Sequence, residues 1–183
     1  VDWVVGRVTE TLQRLGLDDD TLVVVTSDNG AQLADVDGET YGHKSCGDLR
    51  GRKADIWDGG HRVPLIARWP GRIAPGSSSD AVVCLSDLLA TCAGIVGETL
   101  PIHAGEDSAS LLPPLFQESD TGSGRRAIIH HSVFGMFALR QARWKLIFGR
   151  GSGGNSEPIS IEPAPGEPLG QLYDMVADVS ETD

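Results

Sequence analysis

The chain lacks the features that would tie it to a membrane, to zinc or to nucleic acid. None of its apolar runs approaches the roughly 20 residues that a helix needs to cross a bilayer, so we expect no membrane partner. Its three cysteines form neither a paired disulfide framework nor a C-x-x-C zinc motif. Bases are also scarce, because 15 Lys and Arg stand against 26 Asp and Glu, a formal net charge of -11. This balance argues against nucleic acid as the main partner.

The composition that remains is that of an ordinary globular domain. The chain has 183 residues, of which 40% are hydrophobic and 22% are charged, enough for one domain or for a domain with a small appendage. Cys84 and Cys92 lie among apolar residues and are predicted to be small core side chains. Val1 is not an initiator Met and no signal-peptide pattern follows it, so we expect a fragment whose compartment cannot be read.

The stretch from residue 21 to residue 64 holds the most unusual chemistry. Residues 21–25 are β-branched and apolar, which predicts a strand buried on both faces. Asp28 and Asn29 follow at once and precede Gly30, and open α/β sheets hold ligands at such strand ends. Asp-Asn is also a common turn pair, so the pattern leaves a ligand site and a plain turn open. Residues 42–62 carry a local surplus of bases, which suits either an anionic small ligand or solvated loop charges.

Hydrophobic periodicity predicts the remaining elements. The helix predicted over residues 1–17 and the strand after it form half of a βαβ unit whose first strand is missing. Further helices are expected at 86–96 and 108–116, and strands at 63–69, 127–131, 137–140, 143–148 and 169–174. The Gly, Ser and Pro content of residues 149–168 predicts a flexible loop. We therefore expect two domains, 1–125 and 126–183, the second a small antiparallel sheet with a helix against it.

Four segments in order resemble the type I sulfatases of the alkaline phosphatase superfamily. They are TLVVVTSDNG at 21–30, LRGRKADIWDGGHRVPLIARWP at 49–70, FALRQARWKLI at 137–147 and LYDMVADVSET at 172–182. The likeness is to the carboxy-terminal portion of that family. It implies an α/β fold, the carboxy-terminal part of an alkaline-phosphatase-like sulfatase fold, ending in a small antiparallel sheet plus helix. It also favours a periplasmic or extracellular location.

The resemblance implies a sulfuric ester hydrolase with a formylglycine nucleophile beside Ca²⁺. It makes Asp28 and Asn29 calcium ligands, in keeping with the preference of this hard cation for carboxylate and amide oxygens. It also implies that Lys53 is catalytic and binds the sulfate ester, neutralising charge on its oxygens. A lysine packed beside Trp57 with its head in water is the structural alternative. His43 is a possible contact to the sugar or aryl part of the substrate, although a plain loop histidine is the simpler interpretation.

Other positions of the motifs have structural interpretations. Gly59-Gly60 predicts close backbone packing, and Arg62 predicts a structural ion pair. Trp69 and Trp144 are predicted to lie in the core. His130-His131 on a strand would face opposite sides of the sheet, so at most one of them could face a site.

The resemblance breaks at the nucleophile. The family's C/S-x-P/A-x-R motif is absent, and Cys46-Gly47-Asp48-Leu49-Arg50 matches its spacing only by coincidence. Two ligands cannot fill the 6–8 positions that calcium usually takes, so we expect weak or no metal binding and no turnover by this chain alone. The strand at residues 22–26 would lack neighbours, which predicts self-association.

Three functions stay open. The leading one is a sulfatase fragment that acts, within its whole enzyme, on a sulfated small molecule or sulfated sugar. A hydrolase of phosphodiesters or phosphonates keeps the superfamily, although Asn29 speaks against it. The third is a non-catalytic binding or assembly module derived from a sulfatase tail. The upstream coding sequence would distinguish the sulfatase from the non-catalytic module, since a C-x-P-x-R or C-x-A-x-R segment there would favour the sulfatase.

Overall fold

The computed structural model describes residues 1–116, 125 and 127–182. Its helices and strands follow the predicted order and add helices at α2 and α3. In chain order they are α1 Asp2–Leu15, β1 Val23–Thr26, α2 Ala34–Tyr41, α3 Asp58–His61, β2 Leu65–Arg68, α4 Asp87–Ile95, α5 Leu112–Phe116, β3 Ile128–His131, β4 Phe137–Gln141, β5 Trp144–Ile147 and β6 Gln171–Asp174. No helix within the described ranges is both long and apolar enough to span a bilayer.

Contacts group the chain into two compact units. The first consists of Val1–Thr26 and Pro64–Arg125, and the second of Ser27–Val63 and Arg126–Asp183. The sequence places residues 27–63 with the amino-terminal domain, whereas their contacts lie with the carboxy-terminal part of the chain. These units are defined by contacts, so the predicted division into domains 1–125 and 126–183 stays a prediction.

In the first unit, a helix leads into a two-stranded antiparallel sheet. The predicted first helix is confirmed as α1, and Gly16 ends it in the left-handed conformation, with φ 67°. Strand β1 pairs antiparallel with β2, so that Val24 lies opposite Ala67. The prediction that β1 is buried on both faces is wrong: residues 23–25 are half-buried and Thr26 is exposed. Its β-branched residues have one neighbouring strand in the part of the chain that is described.

The first unit is also held by polar groups around α4. The carboxylate of Asp87 is fully buried and accepts the backbone N–H groups of Cys84 and Ala109. It also pairs with Arg125. The core position of Trp69 is confirmed, since it is 8% exposed. The core position of Cys92 is wrong, because this side chain lies on the exposed side of α4.

The second unit contains a four-stranded antiparallel sheet in the order β3-β4-β5-β6. Its buried apolar cluster consists of Ile56, Trp57, Ala138, Ile147, Tyr173 and Met175. Side chains alternate across β5, so that Lys145 and Ile147 are completely buried. Trp144 therefore faces outward and is 49% exposed, which makes its predicted core position wrong.

A helix does lie against this sheet, but it comes from an earlier part of the chain. Residues 127–182 contain no helix. Instead α3 contacts the sheet, where Asp58 pairs with Lys145 of β5 and the ring of His61 lies 4.4 Å from that of His130. His130 is half-buried and its neighbour His131 is exposed, which confirms that they face opposite sides.

The segment from residue 149 to residue 168 has no helix or strand, yet much of it is packed. Residues 151–154 are buried. The N–H of Ser152 donates to Pro158 O at 2.9 Å, and its own carbonyl accepts the N–H of Ile56 at 2.8 Å. The prediction of a flexible loop overlooked these contacts, which small Gly and Ser residues permit by letting backbones approach closely.

Candidate functional site

The Asp28-Asn29 pair lies in a turn directly after β1. Within the turn, the hydroxyl of Ser27 donates to Asn29 O at 2.9 Å, and Asn29 Nδ2 donates to Gly30 O at 3.0 Å. The donor in this hydrogen bond is Nδ2, so the amide oxygen of Asn29, the atom that a cation would bind, takes no part in it. The Asp28 carboxylate is exposed and makes no hydrogen bond or ion pair with any described residue. The Asp28 carboxylate is therefore exposed on the second unit, and Asn29 beside it in the turn is half-buried.

Glycine contacts fix this turn against α3. The N–H of Gly30 donates to Gly60 O at 2.9 Å. A Cβ atom on Gly30 would lie 1.7 Å from Gly59 O, and one on Gly59 would lie 2.2 Å from Gly51 O. Two peptide backbones thus touch where no side chain fits. The predicted close packing at Gly59-Gly60 is confirmed.

A second turn, at residues 52–55, carries Lys53 beside the first. The N–H of Lys53 donates to Ala31 O at 3.0 Å, two residues after Asn29. The structure thus joins the Lys53 backbone to the chain that leaves the Asp28-Asn29 turn, and the Lys53 side chain is half-buried.

His43 has a different setting. It is exposed in the segment after α2, and no described hydrogen bond or ion pair joins it to Asp28, Asn29 or Lys53. Its proposed contact to substrate stays a prediction.

Sequence reasoning missed a buried triad of charges beneath α3. The ammonium of Lys145 lies 2.8 Å from Asp58 Oδ1 and 2.7 Å from Glu181 Oε1. Lys145 and Glu181 are completely buried. The second Glu181 oxygen accepts the N–H of Asp58 at the start of α3. Burial raises the pKa of Glu181, and Lys145 opposes that rise.

Arg50 connects the carboxy-terminal segment that carries Glu181 to Trp57 of the buried apolar cluster. Its guanidinium lies 3.7 Å from the centre of the Trp57 ring, a cation–π contact, and donates to Glu181 O at 2.6 Å. The predicted ion pair of Arg62 is looser, because its guanidinium lies 3.9 Å from Asp58 Oδ2 and the side chain is exposed. The sequence signals for this network are weak: Arg62 of the family motif and a lysine between Trp144 and Leu146 of β5.

Two histidines lie beside the triad. Among described residues, the Nε2 atoms of His61 and His130 are buried without a hydrogen-bond partner. Burial and then the Lys145 ammonium lower the pKa of His61 to about 4. Burial, then His61 and then Lys145, lower the pKa of His130 to about 3. Both rings are therefore neutral near pH 7.

The chemistry of Asp28 and Asn29 fits calcium, since one carboxylate and one amide oxygen are ligands that this cation takes. Within residues 1–116, 125 and 127–182, no group of three or more His, Cys, Asp or Glu side chains is arranged to hold a metal ion. The two residues thus offer part of a coordination shell.

Comparison with known proteins identifies the family. Residues 1–98 match the family model described as Sulfatase. The chain is 43% identical over 117 residues to the steryl-sulfatase of Rattus norvegicus, covering 63% of this chain and 20% of that protein. It is 31% identical over 191 residues to the N-acetylgalactosamine-6-O-sulfatase of Bacteroides thetaiotaomicron, covering 99% of this chain and 36% of that protein.

Solved structures agree. A sulfatase from a study of glycosaminoglycan metabolism by Bacteroides thetaiotaomicron superposes with a TM-score of 0.79 at 30% identity, covering 100% of this chain and 38% of the other. A structure in complex with its substrate D-glucosamine-2-N,6-O-disulfate superposes with a TM-score of 0.67 at 28% identity, covering 99% and 33%.

The fold is thus that of the carboxy-terminal part of an alkaline-phosphatase-like sulfatase. The chain belongs to the sulfatase family. It spans 20% and 36% of the length of the two curated relatives described above.

Proposed function

We propose that this chain contributes Asp28, Asn29 and Lys53 to the active site of a sulfatase whose nucleophile lies in a preceding part of the protein. The observation that carries the proposal is the hydrogen bond from Lys53 N–H to Ala31 O, which joins the two motif turns. Membership of the sulfatase family supports sulfuric ester hydrolysis as the reaction.

Each residue has a distinct role in this proposal. Asp28 and Asn29 would hold Ca²⁺ through oxygen atoms. The bound cation supplies a positive centre for the sulfate oxygens, and the formylglycine of the preceding part supplies the nucleophile. The Lys53 ammonium binds a sulfate oxygen and neutralises the negative charge that grows on the departing alcohol oxygen. His43 binds the sugar part of the substrate.

A sulfated sugar is the substrate class that we favour. The sugar-specific relative, the N-acetylgalactosamine-6-O-sulfatase, matches nearly the whole chain, whereas the steryl-sulfatase matches a shorter part. A structural neighbour holds a sulfated glucosamine as its substrate.

The test is hydrolysis by the full-length product of the gene. We expect calcium-dependent release of sulfate from 6-O-sulfated amino sugars, faster than from steryl or aryl sulfates. Lys53→Ala and Asp28→Asn should each abolish most of it, whereas Lys44→Ala, an exposed lysine paired with Asp48, should not. A preference for phosphodiesters, or activity that survives Lys53→Ala, would contradict the proposal.

The 183-residue chain alone is expected to bind calcium weakly and to release no sulfate. Calorimetric titration with calcium, compared between wild type and Asp28→Asn, measures the first expectation. Steady, calcium-dependent sulfate release by the isolated chain would contradict the second.

A further inference from the structure

The side chain of Asp55 joins two segments that are about one hundred residues apart. It is completely buried. One oxygen accepts the N–H groups of Asn155 at 2.7 Å and Ser156 at 3.0 Å, and the other accepts the N–H of Arg52 at 2.9 Å and the hydroxyl of Ser156. A buried carboxylate is costly unless its oxygens are satisfied, and here four donors satisfy it.

The turn that this carboxylate holds is strained. Asp55 N–H donates to Arg52 O at 3.0 Å, which closes a turn with Lys53 and Ala54 at its central positions. Ala54 has a φ of 86°, in the region that favours glycine. A side chain in this region persists only where the surroundings enforce it, and such strain concentrates at functional sites.

The surroundings of the turn supply that constraint. Ala54 O accepts the N–H of Val133 at 3.0 Å, and Lys53 O accepts from Asn155 Nδ2 at 3.5 Å. A Cβ atom on Gly154 would lie 2.4 Å from Ala54 O, so the loop presses directly on the turn. The peptide groups on both sides of Lys53 are therefore held, and Asp55 is the group that binds the turn and the loop together.

We propose that Asp55 is a positioning residue for Lys53, and this inference rests on the proposed role of Lys53 at the sulfate group. Its carboxylate clamps the loop at residues 152–156 onto the strained turn, so that the ammonium starts from a fixed backbone. Without the clamp the turn relaxes at Ala54 and displaces the lysine. Binding of the sugar part is left largely intact, because that part does not depend on the Lys53 ammonium.

The first test compares Asp55→Asn with Asp87→Asn in the full-length enzyme. Asp87 is a matched control, since it is also completely buried and also accepts backbone N–H groups, but it belongs to the other compact unit. We expect Asp55→Asn to lower kcat by about 10- to 100-fold while KM stays close to wild type. Asp87→Asn should lower the melting temperature without lowering kcat. Equal kcat values for the two variants would overturn the inference.

The second test needs no activity. In the full-length protein, the acetylation rate of Lys53 by acetic anhydride is measured by peptide mass spectrometry against exposed Lys44 as internal reference. Asp55→Asn should change the ratio severalfold and Ser156→Ala should change it less in the same direction, whereas Asp87→Asn should leave it unaltered. A ratio unaffected by both Asp55→Asn and Ser156→Ala would overturn the positioning role. If Lys53→Ala leaves kcat intact while the ratio shifts, the role of Lys53 is wrong and the clamp stands.

Discussion

The ammonium of Lys145 lies 2.7 Å from a carboxylate oxygen of Glu181, and both side chains are completely buried. Asp58 completes the triad from α3. A strand, a short helix and the tail of the chain therefore meet at one charged centre. Such a centre is sensitive to loss of one member, because the others keep their charge without a partner.

Replacement of this ammonium should be strongly destabilising. Lys145→Met leaves two buried carboxylates side by side, and we expect it to lower the free energy of unfolding by about 3–5 kcal/mol. Urea denaturation of the chain measures the loss. Lys44→Met, at an exposed pair with Asp48, should change stability by less than about 0.5 kcal/mol. Comparable losses in the two variants would contradict the importance of the triad.

The buried histidines predict a loss of stability in acid. Because the folded pKa values of His61 and His130 lie below the ordinary value, the unfolded chain binds more protons as the pH falls. The folding stability that the two neutral rings contribute is fully present above about pH 6.5. It is lost as the pH falls through about 4 for His61 and about 3 for His130. For His61 the lost stability is on the order of 3 kcal/mol.

Urea denaturation at several values between neutral pH and pH 4 checks this expectation. The double variant His61→Asn with His130→Asn should show a flatter dependence of stability on pH than wild type. The exposed His103 provides the control, since His103→Asn should retain the wild-type slope. Parallel slopes in all three proteins would sink the histidine explanation.

The backbone contact between Gly30 and Gly59 predicts a large effect of one methyl group. Gly30→Ala would place Cβ 1.7 Å from Gly59 O, and we expect it to cost at least about 3 kcal/mol of stability. Gly6 in α1 has nothing within 4 Å of such an atom, so Gly6→Ala should stabilise the chain by about 0.5–1 kcal/mol. Thermal unfolding compares them, and a tolerated Gly30→Ala would show that the turn can move away.

The strained backbone at Ala54 makes glycine the better residue there. With φ at 86°, Ala54→Gly relieves strain and should raise the free energy of unfolding by about 1 kcal/mol. Ala90 within α4 is the control, because Ala90→Gly in a helix should lower stability by about 0.5–1 kcal/mol. Urea denaturation measures the free energy of unfolding of both variants. A lower stability in Ala54→Gly as well as in Ala90→Gly would argue against strain at residue 54.

Much of the secondary structure could be predicted, because its signals are local. The helix at α1 follows from its apolar period and from Gly16, and the hairpin of β4 and β5 from two apolar runs around a short turn. The Asp28-Asn29 and Lys53 motifs were also visible in the sequence. A hydrogen bond from Lys53 N–H to Ala31 O connects the two backbones, and the roles of these residues stay predictions.

The polar interior could not be predicted, because its partners are distant in sequence. Glu181 contacts Asp58 across 123 positions, and Asp55 contacts Asn155 across 100. Hydrophobicity also misleads at β5, since it predicts a core position for Trp144, whereas the structure buries Lys145. A lysine can be buried there because the carboxylates of Asp58 and Glu181, which come from other segments, pair with its ammonium.

Pairing of Asp58 with the tail sets the timing of assembly on the ribosome. The 123 positions that separate Asp58 from Glu181 take roughly 6 to 25 seconds to synthesise. During that interval α3 has been synthesised without strand β5 and the segment at Glu181, whose charged groups pair with Asp58. The pairing must therefore await translation of the Glu181 codon, and until then a chaperone could bind the uncovered Ile56 and Trp57.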